Sequence, residues 1–161
     1  MNNITYTPIG IIHSPFKEPK GTPIQPTAAT DVAGSIEVFE GYADGLKDLD
    51  GFSHITLLFH FHLSKGANLH VIPYMDTVER GVFATRAPRR PNGIGVSTVR
   101  LERIEGRVLH IRDVDIVDGA PLLDIKPYVP RFDLRENIRT GWLEKRVQRL
   151  ERTTDDGRFV Q

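Results

Sequence analysis

Residues Ser53 to Leu63, SHITLLFHFHL, alternate so that Ile55, Leu57, Phe59, Phe61 and Leu63 fall on one face and His54, Thr56, Leu58, His60 and His62 on the other. A face of large apolar side chains must be buried, so the segment predicts a strand with a core packed against it. Ser97 to Ile104 and Arg107 to Val117 are rich in β-branched residues and meet at Glu105-Gly106, which predicts a hairpin. Ile4 to His13 and Gly34 to Phe39 read as shorter strands, and Asn68 to Tyr74 as a brief one stopped by Pro73. Helical spacing is confined to two stretches. Gly41 to Asp50 places Tyr42, Leu46 and Leu49 at i, i+4 and i+7, and the tail after Thr140 does the same with Leu143, Val147 and Leu150. Short strands, few helices and proline-rich loops predict a mainly β fold, an antiparallel β-barrel or rolled sheet with one or two short helices. A chain of 161 residues supports one domain with a proper core. The division expected is a barrel over residues 1–133 and a helical tail over 134–161.

The chemistry is concentrated in loops. Gly81 to Leu101, GVFATRAPRRPNGIGVSTVRL, has strand-like ends around Arg86, Arg89 and Arg90, which stand among Pro88 and Pro91 and before Gly93 and Gly95. Arginine forks suit carboxylate or phosphate, so this stiff basic loop points to an anionic ligand; a solvated loop with one structural salt bridge is the competing reading. Gly93-Ile94-Gly95 precedes a strand rather than a helix and therefore lacks the setting of a dinucleotide fingerprint. Pro15, Pro19, Pro23 and Pro26 hold a second long loop, either functional or a mobile connector. The segment after Val117 reads as a loop with a short extended piece at Leu122 to Lys126, and brings Asp118, Asp124, Lys126 and Tyr128 together. His60 and His62, two apart on one strand face, begin a metal geometry, but no third and fourth ligand has supporting spacing and no metal is expected.

Composition narrows the partners. The formal net charge is zero, so RNA contact must come from local patches; Asp31 to Asp50 holds six acids against Lys47, and Arg131 to Arg152 holds seven basic residues against four acids. The absence of cysteine removes disulfides and cysteine-bound metal. No apolar run reaches the length of a membrane span and the N-terminus has no signal-peptide pattern, so a cytoplasmic protein without membrane contact is expected.

The segment GVFATRAPRRPNGIGVS resembles the signature of the TrmO (YaeB-like) family of S-adenosylmethionine-dependent tRNA methyltransferases, usually close to GVFATRSxxRPNPIGxS. TPIGIIHSPFKEPKGTPIQP, LKDLDGFSHITLLFHFHLS and VDIVDGAPLLDIKPYVP resemble its other blocks in order, so the likeness runs from Thr7 to Pro130. Gly93 replaces the second proline of the family's RPNPIG, and the chain stops soon after the core. The resemblance implies a β-barrel homodimer that binds S-adenosyl-L-methionine and methylates N6 of threonylcarbamoyladenosine beside the tRNA anticodon. Carried over, cofactor contacts fall on Gln25, Pro26, Thr27, Leu63, Ser64, Arg86, Ile111, Gly119, Ala120, Pro121 and Leu122. Arg86 would pair with the cofactor carboxylate. Arg89, Arg90, Lys126 and Tyr128 are the substrate-binding candidates. A base to take the N6 proton is not identified; Asp118, Asp124 and His62 are candidates by residue type. Two alternatives remain, a methyltransferase of the same fold acting on a small molecule and a dimeric module that binds the cofactor without catalysis.

Overall fold

A computed structural model describes residues 2–160. Its strands are β1 (Gly10–His13), β2 (Ala33–Val38), β3 (His54–His60), β4 (His70–Val71), β5 (Arg80–Gly81), β6 (Ile94–Glu105), β7 (Val108–Arg112) and β8 (Ala120–Pro127). Six of them close into an antiparallel barrel in the order β1-β2-β7-β6-β3-β8, with β8 pairing back onto β1, while β4 and β5 form a separate two-stranded sheet. The barrel follows from alternation. On β3, Ile55, Leu57 and Phe59 turn inward to exposures of 0%, 0% and 5%, and they meet Ile12, Ile36 and Leu109 from other strands. Closure also removes the exposed edges that an open sheet would present.

Several expectations change in the structure. β1 is shorter than predicted, beginning at Gly10, where a Cβ would strike the Glu37 carbonyl of β2. β3 ends at His60, and a turn closed by the His62 amide on the His60 carbonyl carries the chain away from the wall. Val82–Ala84, expected to continue a strand, is a single 3-10 turn. The segment after Val117 is more ordered than a loop with a short extended piece. It forms the full strand β8 between β1 and β3, with Pro121 and Pro127 at its ends, where a missing N–H is tolerated.

The predicted amphipathic helices are also modified. Residues from Gly41 to Asp50 form two 3-10 pieces, Glu40–Leu46 and Leu49–Gly51, separated by Asp48 in the left-handed region at φ 65°. The tail likewise forms Gly141–Leu143 and Val147–Arg152, with Gly141 at φ 56° where the helix was expected to begin. The one α-helical turn among the described residues is Pro130–Asp133.

The tail nevertheless packs back on the body. The Asp155 amide donates to the Thr22 carbonyl at 2.8 Å, and Phe159 is buried with Val71, Val82 and Ala87 in a second small core. Asp76, whose side chain is fully buried, joins Arg146 of the tail at 3.2 Å and Arg80 at 2.9 Å.

Candidate active site

At the barrel end where β3 finishes and β6 begins lies a cavity of about 780 Å³, within the range of small-molecule and cofactor sites. Phe59, Gly95, Ser97 and Ala120 form its barrel side. The proline loop contributes Gln25 and Thr27, the turn after β3 contributes His62 to Ser64, and the basic loop contributes Thr85, Arg86 and Arg90. The tail completes the wall with Trp142, Leu143 and Val147. Trp142 is held there by its indole N–H, which donates to the Ala84 carbonyl at 2.8 Å, and by the Arg80 guanidinium 5.5 Å from the ring centroid.

Gly95 is required by this geometry. It faces Phe59 across the β3–β6 pair, and a Cβ added to it would lie directly against the Phe59 ring. The absence of a side chain lets the ring pack across the barrel mouth as part of the cavity floor.

The basic loop differs electrostatically from the barrel. Arg100 pairs with Asp113 and Asp31, Arg107 with Glu37 and Arg112 with Glu102. Among the described residues, no carboxylate pairs with Arg86, Arg89 or Arg90. Arg86 donates to the Gln25 side chain at 2.9 Å, Arg89 to the Lys65 carbonyl at 3.1 Å and Arg90 to the Thr85 and Ala87 carbonyls. Neutral acceptors fix their directions without an acid in salt-bridge contact, an arrangement suited to an anionic ligand.

Two buried side-chain polar atoms among the described residues lack a hydrogen-bond partner, Ser64 Oγ and Tyr74 Oη, and both residues line this cavity. Such groups are costly to leave unmatched and fit a site shaped for a polar ligand. Burial first, and then the nearby Asp155 carboxylate, hold the Tyr74 phenol protonated well above its ordinary range, although the pair lacks hydrogen-bond geometry. Burial, and then the neighbouring His60, lower the affinity of His62 for a proton, so its imidazole is neutral at pH 7.

Asp115 is a cavity residue that the sequence reading missed. It is half-buried, lies between the buried Val114 and Ile116, and accepts the Ser97 hydroxyl on Oδ1 at 2.7 Å. Burial pushes its carboxyl up to about 7, against the hydrogen bonds from Ser97 and its own amide and the charge of Arg86, all of which favour the carboxylate. The available signal was an acid inserted between two core residues just before the proline-containing β8 segment.

The structure gathers Gln25, Thr27, Leu63, Ser64, Arg86, Arg90 and Ala120 around the cavity. Pro26 begins a 3-10 turn between Gln25 and Thr27, and Gly119 and Pro121 flank Ala120. Ile111 and Leu122 are packed inside the barrel at 1% and 0% exposure rather than in the cavity wall. Lys126 and Tyr128 lie at the other end: Lys126 is six strand steps from Ala120, about 20 Å along the chain, and Tyr128 meets His54 edge-on at the start of β3. Of the proposed bases, His62 alone lines the cavity. The Asp118 carboxylate is held below its usual range by Lys17 and then by the Ser14 amide, and Asp124 pairs with Lys126. Among the described residues, no group of three His, Asp or Glu side chains is placed to hold a metal ion. No helix among the described residues is long and apolar enough to cross a membrane.

A profile of the tRNA-methyltransferase O N-terminal domain matches residues 11–134. A protein of Pyrococcus abyssi named as a probable S-adenosyl-L-methionine-binding protein is 64% identical over 156 residues, covering 97% of this chain and 85% of that protein. The human tRNA (adenine(37)-N6)-methyltransferase is 33% identical over 159 residues, covering 94% of this chain but 36% of the enzyme. A crystal structure of TrmO from Pseudomonas aeruginosa superposes with a TM-score of 0.73 at 41% identity, covering 87% of this chain and 62% of the solved one. The chain thus spans less than two thirds of that solved protein.

Proposed function

The chain belongs to the tRNA-methyltransferase O family, and from that membership we propose that its barrel-mouth cavity binds S-adenosyl-L-methionine for methyl transfer to N6 of threonylcarbamoyladenosine beside the tRNA anticodon. The observation that carries this reading is Arg86, fixed by Gln25 in the cavity wall with no carboxylate partner among the described residues. An α-carboxylate is a suitable ligand for it, and the unmatched Ser64 hydroxyl offers a second polar contact. The names of the relatives agree with this cofactor and reaction.

When bound, the cofactor supplies an already activated methyl group. The chain's own task is therefore to place the acceptor nitrogen in line, exclude bulk water and receive a proton. Gln25 and Thr27 from the proline loop, with Leu63 and Ser64 opposite, would grip the cofactor's polar and apolar parts. Arg90, in the same wall, would face the threonyl carboxylate or an RNA phosphate, and Arg89 beside the cavity would add charge for the backbone. Lys126 and Tyr128 are too far along the barrel to join them within one chain. Homodimerisation belongs to this reading and would allow a second copy to present that end. Supporting it, Leu63, Ile94 and Val96 at the cavity keep exposures of 39%, 37% and 44%.

The test is transfer of labelled methyl from S-adenosylmethionine to two tRNA preparations, one carrying threonylcarbamoyladenosine and one from cells unable to make it. Label in the first alone supports the reading. Equal labelling of both rejects the nucleoside assignment, and cofactor binding without transfer to either rejects the tRNA assignment.

A further inference from the structure

Asp115 differs from the acids on the barrel strands and from its neighbours in the β7–β8 connection. Glu37, Glu102 and Asp113 face arginines, while Asp118 faces Lys17 and Asp124 faces Lys126. The Asp115 carboxyl has no ion-pair partner among the described residues; its hydrogen bond from another residue is the one from Ser97 onto Oδ1. Ser97 is 3% exposed and fixed on β6 by its register opposite Leu57 of β3. A carboxyl is thus anchored through one oxygen to a rigid wall, with no hydrogen bond from another described residue on Oδ2, in a cavity of about 780 Å³.

On the methyl-transfer reading above, we propose that Asp115 is the catalytic base that takes the proton from the acceptor nitrogen. N6 forms its bond to the methyl carbon as that carbon leaves sulfur, whose bonding pair remains behind to give neutral S-adenosylhomocysteine. The N6–H pair stays on nitrogen and its proton passes to the Asp115 carboxylate, which later returns it to water. The methylated base, the thioether and one released proton balance the starting N–H and sulfonium.

The other titratable groups of the cavity are Arg86 and Arg90 in the basic loop, His60 at the end of β3 and His62 just after it, Tyr74, and Asp155 in the tail. Arg86 is the one whose charge bears on Asp115. Tyr74 is held protonated and cannot accept a proton at neutral pH, and burial makes His62 a weaker base than an ordinary imidazole. Asp115, with its proton affinity raised to about 7, is poised between donor and acceptor near neutral pH. Ser97 is then a positioning residue, because its hydroxyl both aims the carboxyl and favours the charged form.

The experiment is single-turnover methyl transfer across pH, with cofactor affinity measured separately, for the wild type, Asp115→Asn, Ser97→Ala and His62→Gln. Asp115→Asn should bind S-adenosylmethionine within a few-fold of wild type yet transfer methyl about 10²- to 10⁴-fold more slowly. The wild-type rate should rise with pH and level off near 7. Ser97→Ala should move that inflection upward, a change that loss of packing alone would not produce. An Asp115→Asn variant with wild-type rate and pH profile overturns the proposal, as does loss of the inflection in His62→Gln alone. Loss of cofactor affinity in Asp115→Asn without a change in the bound-state rate makes Asp115 a counter-charge and also overturns it. A wild type that binds cofactor and methylates no tRNA overturns the tRNA reading and this assignment with it; the other results reject the base alone.

Discussion

Asp115→Asn should stabilise the protein at neutral and alkaline pH. The folded carboxyl has its proton affinity raised from near 3.8 to about 7, so the folded chain retains a proton that the unfolded chain releases. Stability from the protonated form is complete below about pH 4 and is lost as pH rises through 7. At about 1.4 kcal/mol for each tenfold change in proton affinity, the full cost of the buried carboxylate is about 4 kcal/mol. Water entering the open cavity reduces this to about 2 kcal/mol. The amide replacement has nearly the same shape, can still accept the Ser97 hydroxyl and carries no charge. Scanning calorimetry at about pH 4, 6 and 8 should therefore show coincident melting at the lowest value and a widening gap up to about pH 7, constant above it. At about 2–4 °C per kcal/mol for a domain of this size, the variant should melt about 4–8 °C higher at pH 8. A variant less stable at pH 8, or a gap independent of pH, would refute the claim that an unpaired carboxylate is held there at a cost to stability.

Three further outcomes follow from the same cavity. Arg86→Ala should weaken S-adenosylmethionine binding about 10- to 100-fold by calorimetric titration, the value of one charge-assisted pair; unchanged affinity would remove Arg86 from the cofactor site. Gly95→Ala forces a methyl against the Phe59 ring and should cost about 1–3 kcal/mol in denaturant unfolding while also lowering cofactor affinity, because the ring has the cavity to move into. A neutral result would mean that the ring yields freely. Trp142 is the only tryptophan in the chain and sits in the cavity wall, so saturating cofactor should change its fluorescence. An unchanged emission spectrum would separate the tail from the binding site.

The barrel was legible where one face of a strand had to be dry. Ile55, Leu57 and Phe59 and the Glu105-Gly106 hairpin carry that signal locally. β8 was less visible because Pro121, Asp124 and Pro127 interrupt its sequence, and its strand character comes from β1 and β3 on either side. The helical spacing of the tail was real, but the left-handed turn at Gly141 and the anchors from Asp76 and Ala84 favour short 3-10 pieces docked on the body. Spacing could find the arginine cluster without showing which arginines lack acids. That distinction depends on Gln25, 61 residues away, meeting Arg86. Asp115 stayed hidden for the same reason: its environment is made by Ser97 on another strand, and next to the acids Asp113 and Asp118 its residue type alone did not single it out.

The most direct measurement is the identity of the product. After one turnover with S-adenosylmethionine on tRNA bearing threonylcarbamoyladenosine, mass spectrometry of the digested nucleosides should find a single added methyl on N6 of that nucleoside, matched by an equal amount of S-adenosylhomocysteine. A methyl on another nucleoside, or no methylated nucleoside while the cofactor occupies the cavity, would contradict the account.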